Sequence, residues 1–130
     1  MRAFTWGTFS FIHDGHLMFL KEIKSMSNEL HVILIPDIEV FKNKKNVRPD
    51  AVTRKNNLSR LNIADFVHID SYNMGLKSVL KFEPEIFVLG YDQNTIWEKR
   101  LASFLRNNNL DTRITRLTEF ANGIHSSNLR

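Results

Sequence analysis

Two histidines stand in a short loop near the amino terminus that also carries glycine and threonine. His13 and His16 are three residues apart, with Gly15 between them and Gly7 and Thr8 upstream. A loop that leads into a helix presents free backbone N–H groups and the positive end of the helix dipole, which together bind anions. Glycine lets a phosphate approach the backbone, and each imidazole can donate a hydrogen bond to charge that develops in a transition state. The segment predicts a phosphate site, although a pair of ordinary surface histidines would show the same spacing.

The other histidines do not extend this pair into a metal site. His31, His68 and His125 lack the spacing that would supply a third zinc ligand. The chain contains no cysteine, which excludes disulfides, thiolate metal sites and a cysteine nucleophile. We therefore predict no metal bound directly by side chains of the protein.

Length and composition limit the class of protein. A chain of 130 residues with 42% hydrophobic and 25% charged residues is typical of one folded domain, residues 1–130. The amino terminus lacks the apolar run of a signal peptide, and no apolar stretch is long enough to cross a membrane, so we expect a cytoplasmic location and no membrane partner. A net charge of +4 suits small phosphorylated ligands, and the scattered aromatic residues form no basic-aromatic strip for nucleic acid.

Strand-length apolar runs alternate with amphipathic stretches along the chain. The runs predict strands at 2–6, 31–35, 65–69, 85–90 and 112–117, and the amphipathic stretches predict helices at 15–26, 50–61, 74–82 and 95–107. This order predicts an α/β fold, a single-domain doubly wound parallel sheet of the Rossmann-like type. In such a fold ligands bind beyond the carboxyl ends of the strands, where the strand order switches, and the histidine loop falls there.

The last predicted helix carries several large apolar residues at helical spacing. We expect its inward face to comprise Ile96, Leu101, Phe104 and Leu105. Trp97 is also expected to belong to the core rather than to a platform on which a base stacks.

Three motifs resemble those of the cytidylyltransferase-like nucleotidyltransferases, a family that includes glycerol-3-phosphate cytidylyltransferase and archaeal FAD synthetase. The segment from Gly7 to His16 is similar to the family's GTFDxxHxGH signature. The segment Gly90-Tyr91-Asp92-Gln93 resembles the one that lines the nucleotide pocket, and residues 123–130 resemble the closing ISSTxxR motif. The likeness covers essentially the whole chain and implies the Rossmann-like fold of the HxGH type.

The resemblance implies a reaction and a set of site residues. A phosphate oxygen of an acceptor attacks the α-phosphorus of a nucleoside triphosphate in line, and pyrophosphate leaves. The family's catalytic positions correspond to His13, His16, Lys44 and Arg130. Its nucleotide-binding positions correspond to Gly7, Thr8, Phe9, Gly15, Gly90, Asp92, Gln93, Ser126 and Ser127, and its acceptor-binding positions to Lys45 and Arg54.

The substrates follow from the same resemblance. We expect CTP and a small phosphorylated acceptor, an alditol or sugar phosphate. The alternative within the family is ATP with FMN, which yields FAD, and an alternative of another class is a nucleotide-binding protein without catalysis. The family further implies Mg²⁺ carried mainly on triphosphate oxygens, and a homodimer.

Two positions depart from the family's pattern. Ser10 stands where the family commonly has aspartate, which removes a charge that can help to bind the cation or orient the loop. His125 replaces the first serine of the closing motif and adds an imidazole there. Because both histidines of the first motif are present, we predict an active enzyme.

Overall fold

The computed structural model describes residues 1–37, 49–90 and 95–117, which form strands with helices between them. The strands are β1 Arg2–Gly7, β2 Glu29–Leu34, β3 Phe66–Ile69, β4 Ile86–Leu89 and β5 Arg113–Arg116. The helices are α1 Asp14–Ser25, α2 Ala51–Ser59, α3 Lys77–Phe82 and α4 Thr95–Asn107. None of the helices in these ranges is long and apolar enough to cross a membrane.

The strands form one parallel sheet in the order β3-β2-β1-β4-β5. The chain moves outward from β1 to β2 and β3, and then returns to the other side of β1 with β4 and β5. The strand order therefore switches between β1 and β4, and ligands of such sheets bind at the carboxyl ends of the strands beside the switch. The predicted doubly wound parallel sheet is confirmed.

Helices cover both faces of the sheet. On one face α1 and α2 pack on the strands through buried apolar side chains, namely Phe19, Leu20, Ile23 and Leu58. On the other face α3, the residue before it and α4 contribute Leu76, Val79, Leu101, Phe104 and Leu105, of which Phe104 is partly buried. All but the first residue of β2 are buried, because this strand is covered from both sides.

The first turn of α4 differs from the prediction. Ile96 is 56% exposed and Trp97 is 43% exposed, so the assignment of these two side chains to the core is wrong. Leu101 and Leu105 are buried one and two turns later, because only that part of the helix lies over the apolar face of the sheet. The Trp97 ring instead stacks on Tyr72, with ring centroids 5.5 Å apart.

A row of polar side chains runs under α3 on the second face of the sheet. The Nε2 atom of His31 lies 2.7 Å from a carboxylate oxygen of Glu29, and its Nδ1 lies 2.8 Å from Nε2 of His68. Because the carboxylate only accepts, His31 donates from Nε2 and accepts at Nδ1 from the Nε2–H of His68. Arg2 donates to Glu29 from the other side. Burial lowers the pKa of His31, and it lowers the pKa of His68 to about 4.

Candidate functional site

The histidine pair forms the amino-terminal cap of α1. His13 is the N-cap residue, with an extended backbone, and its Nδ1 atom accepts a hydrogen bond of 3.0 Å from the N–H of Gly15. In return, Nδ1 of His16 accepts from the backbone N–H of His13 at 3.2 Å. This reciprocal arrangement is a capping box in which imidazoles replace the usual serine and glutamate. The two rings stack with centroids 3.9 Å apart, so the cap fixes both side chains at the start of the helix.

The cap also determines which nitrogen of each ring carries the proton. A backbone N–H can only donate, so the Nδ1 atoms of His13 and His16 must be unprotonated in these bonds. Each neutral ring therefore carries its proton on Nε2, the nitrogen away from the cap. The sequence thus places two oriented N–H donors at the positive end of a helix, where an anion is stabilised.

A strained residue links the end of β1 to this pair. Phe9 has a φ of 50°, in the left-handed region that bulky residues avoid, and it is only 7% exposed. Its ring packs against His16 with centroids 5.2 Å apart. It also lies over Gly7, where a Cβ atom would stand 2.7 Å from Cε2 of the phenyl ring. Gly7 is therefore required by the close approach of Phe9.

Two arginines bind the backbone at the carboxyl edge of the sheet. Arg54 of α2 is fully buried, and its Nη atoms donate to the carbonyl oxygens of Thr8 and Ile35, each at 2.8 Å. Arg116 of β5 donates from Nη1 to the carbonyl of Gly90 at 2.8 Å. Each of the three carbonyls belongs to the first residue beyond its strand, β1, β2 or β4. The guanidinium groups therefore join the loops on both sides of the switch point.

The structure brings one group of the predicted site residues together. Gly7, Thr8, Phe9, His13, Gly15 and His16 all lie between the end of β1 and the first turn of α1. Arg54 reaches this loop through the Thr8 carbonyl, and Gly90 follows β4 at the same edge. The predicted residues Lys44, Lys45, Asp92, Gln93, Ser126, Ser127 and Arg130 lie outside the described residues.

Arg54 is surrounded by oxygen atoms of the protein. Besides the two carbonyls, it donates to the Pro49 carbonyl at 3.1 Å and to a carboxylate oxygen of Asp37 at 3.0 Å. These contacts are with protein oxygens, and contact of Arg54 with the acceptor stays a prediction. Within the described ranges no three His, Asp or Glu side chains are grouped as metal ligands; Mg²⁺ stays a prediction that concerns the triphosphate.

Sequence reasoning missed Asp37 and Arg116. Both have a signal in the sequence, because each lies at the carboxyl end of a predicted strand, at the edge where ligands bind. Asp37 comes three residues after β2, and Arg116 is the last residue of β5. Arg116 is further fixed by an ion pair of 2.7 Å with Glu98 in α4.

Known proteins resemble this chain over most of its length. A model of the cytidylyltransferase-like family matches residues 4–130, which include all three motifs. An FAD synthase of Archaeoglobus profundus is 34% identical over 117 residues, which cover 90% of this chain and 74% of that protein. An FAD synthase of Thermoplasma volcanium is 29% identical over 127 residues, covering 98% and 89%. Among solved structures, the lipopolysaccharide core biosynthesis protein from Thermoplasma volcanium matches with a TM-score of 0.79 at 28% identity, covering 92% of this chain and 98% of that one.

Proposed function

Because this chain belongs to the cytidylyltransferase-like family of nucleotidyltransferases, we propose that it transfers the adenylyl group of ATP to FMN, forming FAD and pyrophosphate. The relatives named FAD synthase support ATP and FMN over the CTP and sugar phosphate expected from the sequence. The observation that carries the chemistry is the pair of imidazoles whose shared cap sets both Nε2–H groups as donors.

The proposed reaction is a single displacement at phosphorus. A terminal phosphate oxygen of FMN forms a bond to the α-phosphorus of ATP while the bond from that phosphorus to the β-phosphate bridging oxygen breaks. The electron pair of the broken bond leaves with pyrophosphate, so no covalent intermediate with the protein is needed. Catalysis of this kind consists of positioning the two phosphates and stabilising negative charge.

The site supplies both contributions. The Nε2–H groups of His13 and His16 donate to oxygens on the α- and β-phosphates, where negative charge increases in the transition state. The amino-terminal end of α1 adds the positive end of its dipole. Mg²⁺ enters as the magnesium complex of ATP. Lys44 and Arg130 remain predicted partners of the phosphates.

A second candidate is cytidylyl transfer from CTP to a sugar phosphate. It is supported by the similarity to a solved protein named for lipopolysaccharide core biosynthesis. The chemistry at phosphorus would be the same, since the histidine pair contacts only phosphates in the proposed mechanism. The two candidates differ in the base and the acceptor, which an activity assay separates.

The test is a matrix of nucleotides and acceptors. The protein with Mg²⁺ is incubated with ATP or CTP and with FMN, glycerol 3-phosphate or a hexose 1-phosphate, and pyrophosphate and products are measured. We expect FAD from ATP and FMN, with a kcat/KM at least about tenfold above that of every other pair. Riboflavin is the matched control acceptor, because it has the same ring system but no phosphate to attack.

The possible results are distinct. Product from CTP and a sugar phosphate, with none from ATP and FMN, would replace the first candidate with the second. Pyrophosphate release with riboflavin equal to that with FMN would mean that water attacks the triphosphate. Binding of ATP, seen as a rise in Tm, without pyrophosphate from any pair would indicate a nucleotide-binding protein and contradict the proposal.

A further inference from the structure

The guanidinium of Arg54 occupies an unusual setting for a charged group. It is fully buried, and within the described residues its carboxylate partner is Asp37, whose side chain is 36% exposed. A buried charge is tolerated only when it is paired and hydrogen-bonded. Here three backbone carbonyls complete the set, those of Thr8, Ile35 and Pro49. The burial of this charge therefore joins three chain segments at the carboxyl edge of the sheet.

The bond to the Thr8 carbonyl acts directly on the backbone of Phe9. The carbonyl of Thr8 and the N–H of Phe9 belong to one planar peptide group, so fixing the carbonyl restricts rotation about the N–Cα bond of Phe9. That rotation is the φ angle, which is held at 50°, in the left-handed region. A bulky residue keeps such a conformation only when its surroundings impose it.

The left-handed backbone of Phe9 in turn directs its ring. The ring is buried against His16 and over Gly7, with its centroid 5.2 Å from that of the imidazole. It therefore limits the rotation of the His16 ring, which also stacks on the His13 ring with centroids 3.9 Å apart. The imidazole thus contacts two aromatic neighbours, Phe9 and His13.

We propose that Arg54 is a positioning residue that orients the imidazole of His16 through the Thr8 carbonyl and the Phe9 ring. This assigns Arg54 a role other than contact with the acceptor. The effect on turnover rests on the proposed function, whereas the effect on the orientation of His16 does not.

The first readout is the NMR signal of the His16 ring, assigned by its loss in His16→Asn. In Arg54→Met, the Hε1 resonance of His16 should move because Phe9 no longer lies at a fixed angle to the ring. The matched control is Arg2→Met, which removes an arginine with carboxylate and carbonyl partners from the opposite end of β1. In that control the His16 resonance should stay in place even if stability falls.

The second readout is the separation of kcat from KM. In Arg54→Met kcat should fall about 10- to 100-fold, as expected for a misplaced catalytic group, while the KM for ATP changes less than about threefold. Arg54→Lys keeps the charge but not the planar set of N–H donors, so its kcat should lie between that of Arg54→Met and that of the wild type. Phe9→Leu should reproduce the loss in kcat with Arg54 intact.

A double-variant cycle tests the route. If Arg54 acts through Phe9, the combined variant Arg54→Lys, Phe9→Leu should lose no more kcat than the more impaired single variant. Additive losses would contradict the route through Phe9. An unchanged His16 resonance in Arg54→Lys and Phe9→Leu would overturn the proposal even if Arg54→Met does not fold. A wild-type protein that makes no pyrophosphate would contradict the proposed function alone, because the NMR readout still decides the orientation of His16.

Discussion

Replacing His13 with asparagine or with alanine should separate its role in folding from its role in chemistry. In the wild type, Nδ1 caps the helix by accepting from the N–H of Gly15, and Nε2–H is the proposed donor to phosphate. Asparagine places an acceptor oxygen near the position of Nδ1 and is among the best N-cap residues, but it has no group that reaches as far as Nε2. Alanine lacks both functions.

The magnitudes follow from these two losses. His13→Ala should lower the free energy of unfolding by about 1 kcal/mol, the usual cost of a lost cap, whereas His13→Asn should stay within about 0.5 kcal/mol of the wild type. For a chain of this length, 1 kcal/mol lowers Tm by about 3–5 °C. Both variants lose one donor to the transition state, which costs roughly 10²- to 10³-fold in kcat, or about 3–4 kcal/mol.

The assay combines urea unfolding with pyrophosphate release under saturating substrates. The two variants should differ in stability and coincide in kcat. If His13→Asn kept kcat within threefold of the wild type, the Nε2–H of His13 would not be a donor to the reacting phosphates. If both variants were equally unstable, the capping bond would not contribute as the structure indicates.

Three further variants test other parts of the structure. Between pH 6.5 and 4 the free energy of unfolding of the wild type should fall by about 1.5 kcal/mol more than that of His68→Gln. The reason is that His68 binds a proton in the unfolded chain over this range, whereas in the folded protein its pKa is lowered to about 4. This shift corresponds to roughly 3 kcal/mol, which we halve because the ring is partly exposed. Equal pH profiles in urea unfolding would exclude this contribution. Gly7→Ala should lower the free energy of unfolding by about 1–3 kcal/mol, because the added Cβ would stand 2.7 Å from the Phe9 ring. An unchanged midpoint of urea unfolding would show that the ring moves aside at no cost in stability. Arg116→Met should raise the KM for ATP about tenfold with little change in kcat, because it removes the donor to the Gly90 carbonyl, where the segment after β4 begins. A lowered kcat at constant KM would instead assign Arg116 to the chemical step.

The sheet could be predicted because burial leaves a strong signal in parallel strands. β2 and β4 are covered from both sides, so their sequences are nearly continuous apolar runs that alternate with amphipathic helices. The predicted boundaries differ from those of the structure by a few residues, since end residues are assigned by hydrogen bonds that the sequence does not display. The histidine loop could be placed because Gly7 ends the first strand and the apolar spacing of α1 begins directly after His16.

The other features depend on contacts between residues that are far apart in the chain. An arginine is most often exposed, so nothing in the sequence near Arg54 indicates a buried guanidinium whose partners lie up to 46 positions away. The left-handed backbone of Phe9 could not be predicted, because glycine or asparagine is the usual residue for that conformation. Trp97 was misassigned because helical spacing gives the face of a helix but not how far along its length the sheet extends.

A phosphate site at the carboxyl edge of a parallel sheet lies close to backbone carbonyl oxygens, whose negative charge opposes anion binding. The carbonyl oxygens of residues just beyond the strands carry partial negative charge, which would repel a triphosphate. In this protein the carbonyls of Thr8, Ile35 and Gly90 accept from Arg54 or Arg116, which replaces exposed negative dipoles with hydrogen-bonded cations. The positive end of α1 lies at the same edge, where the carbonyl charge is already offset. Arg116→Met should therefore weaken ATP binding more at low than at high ionic strength, because added salt screens the charge that Arg116 supplies.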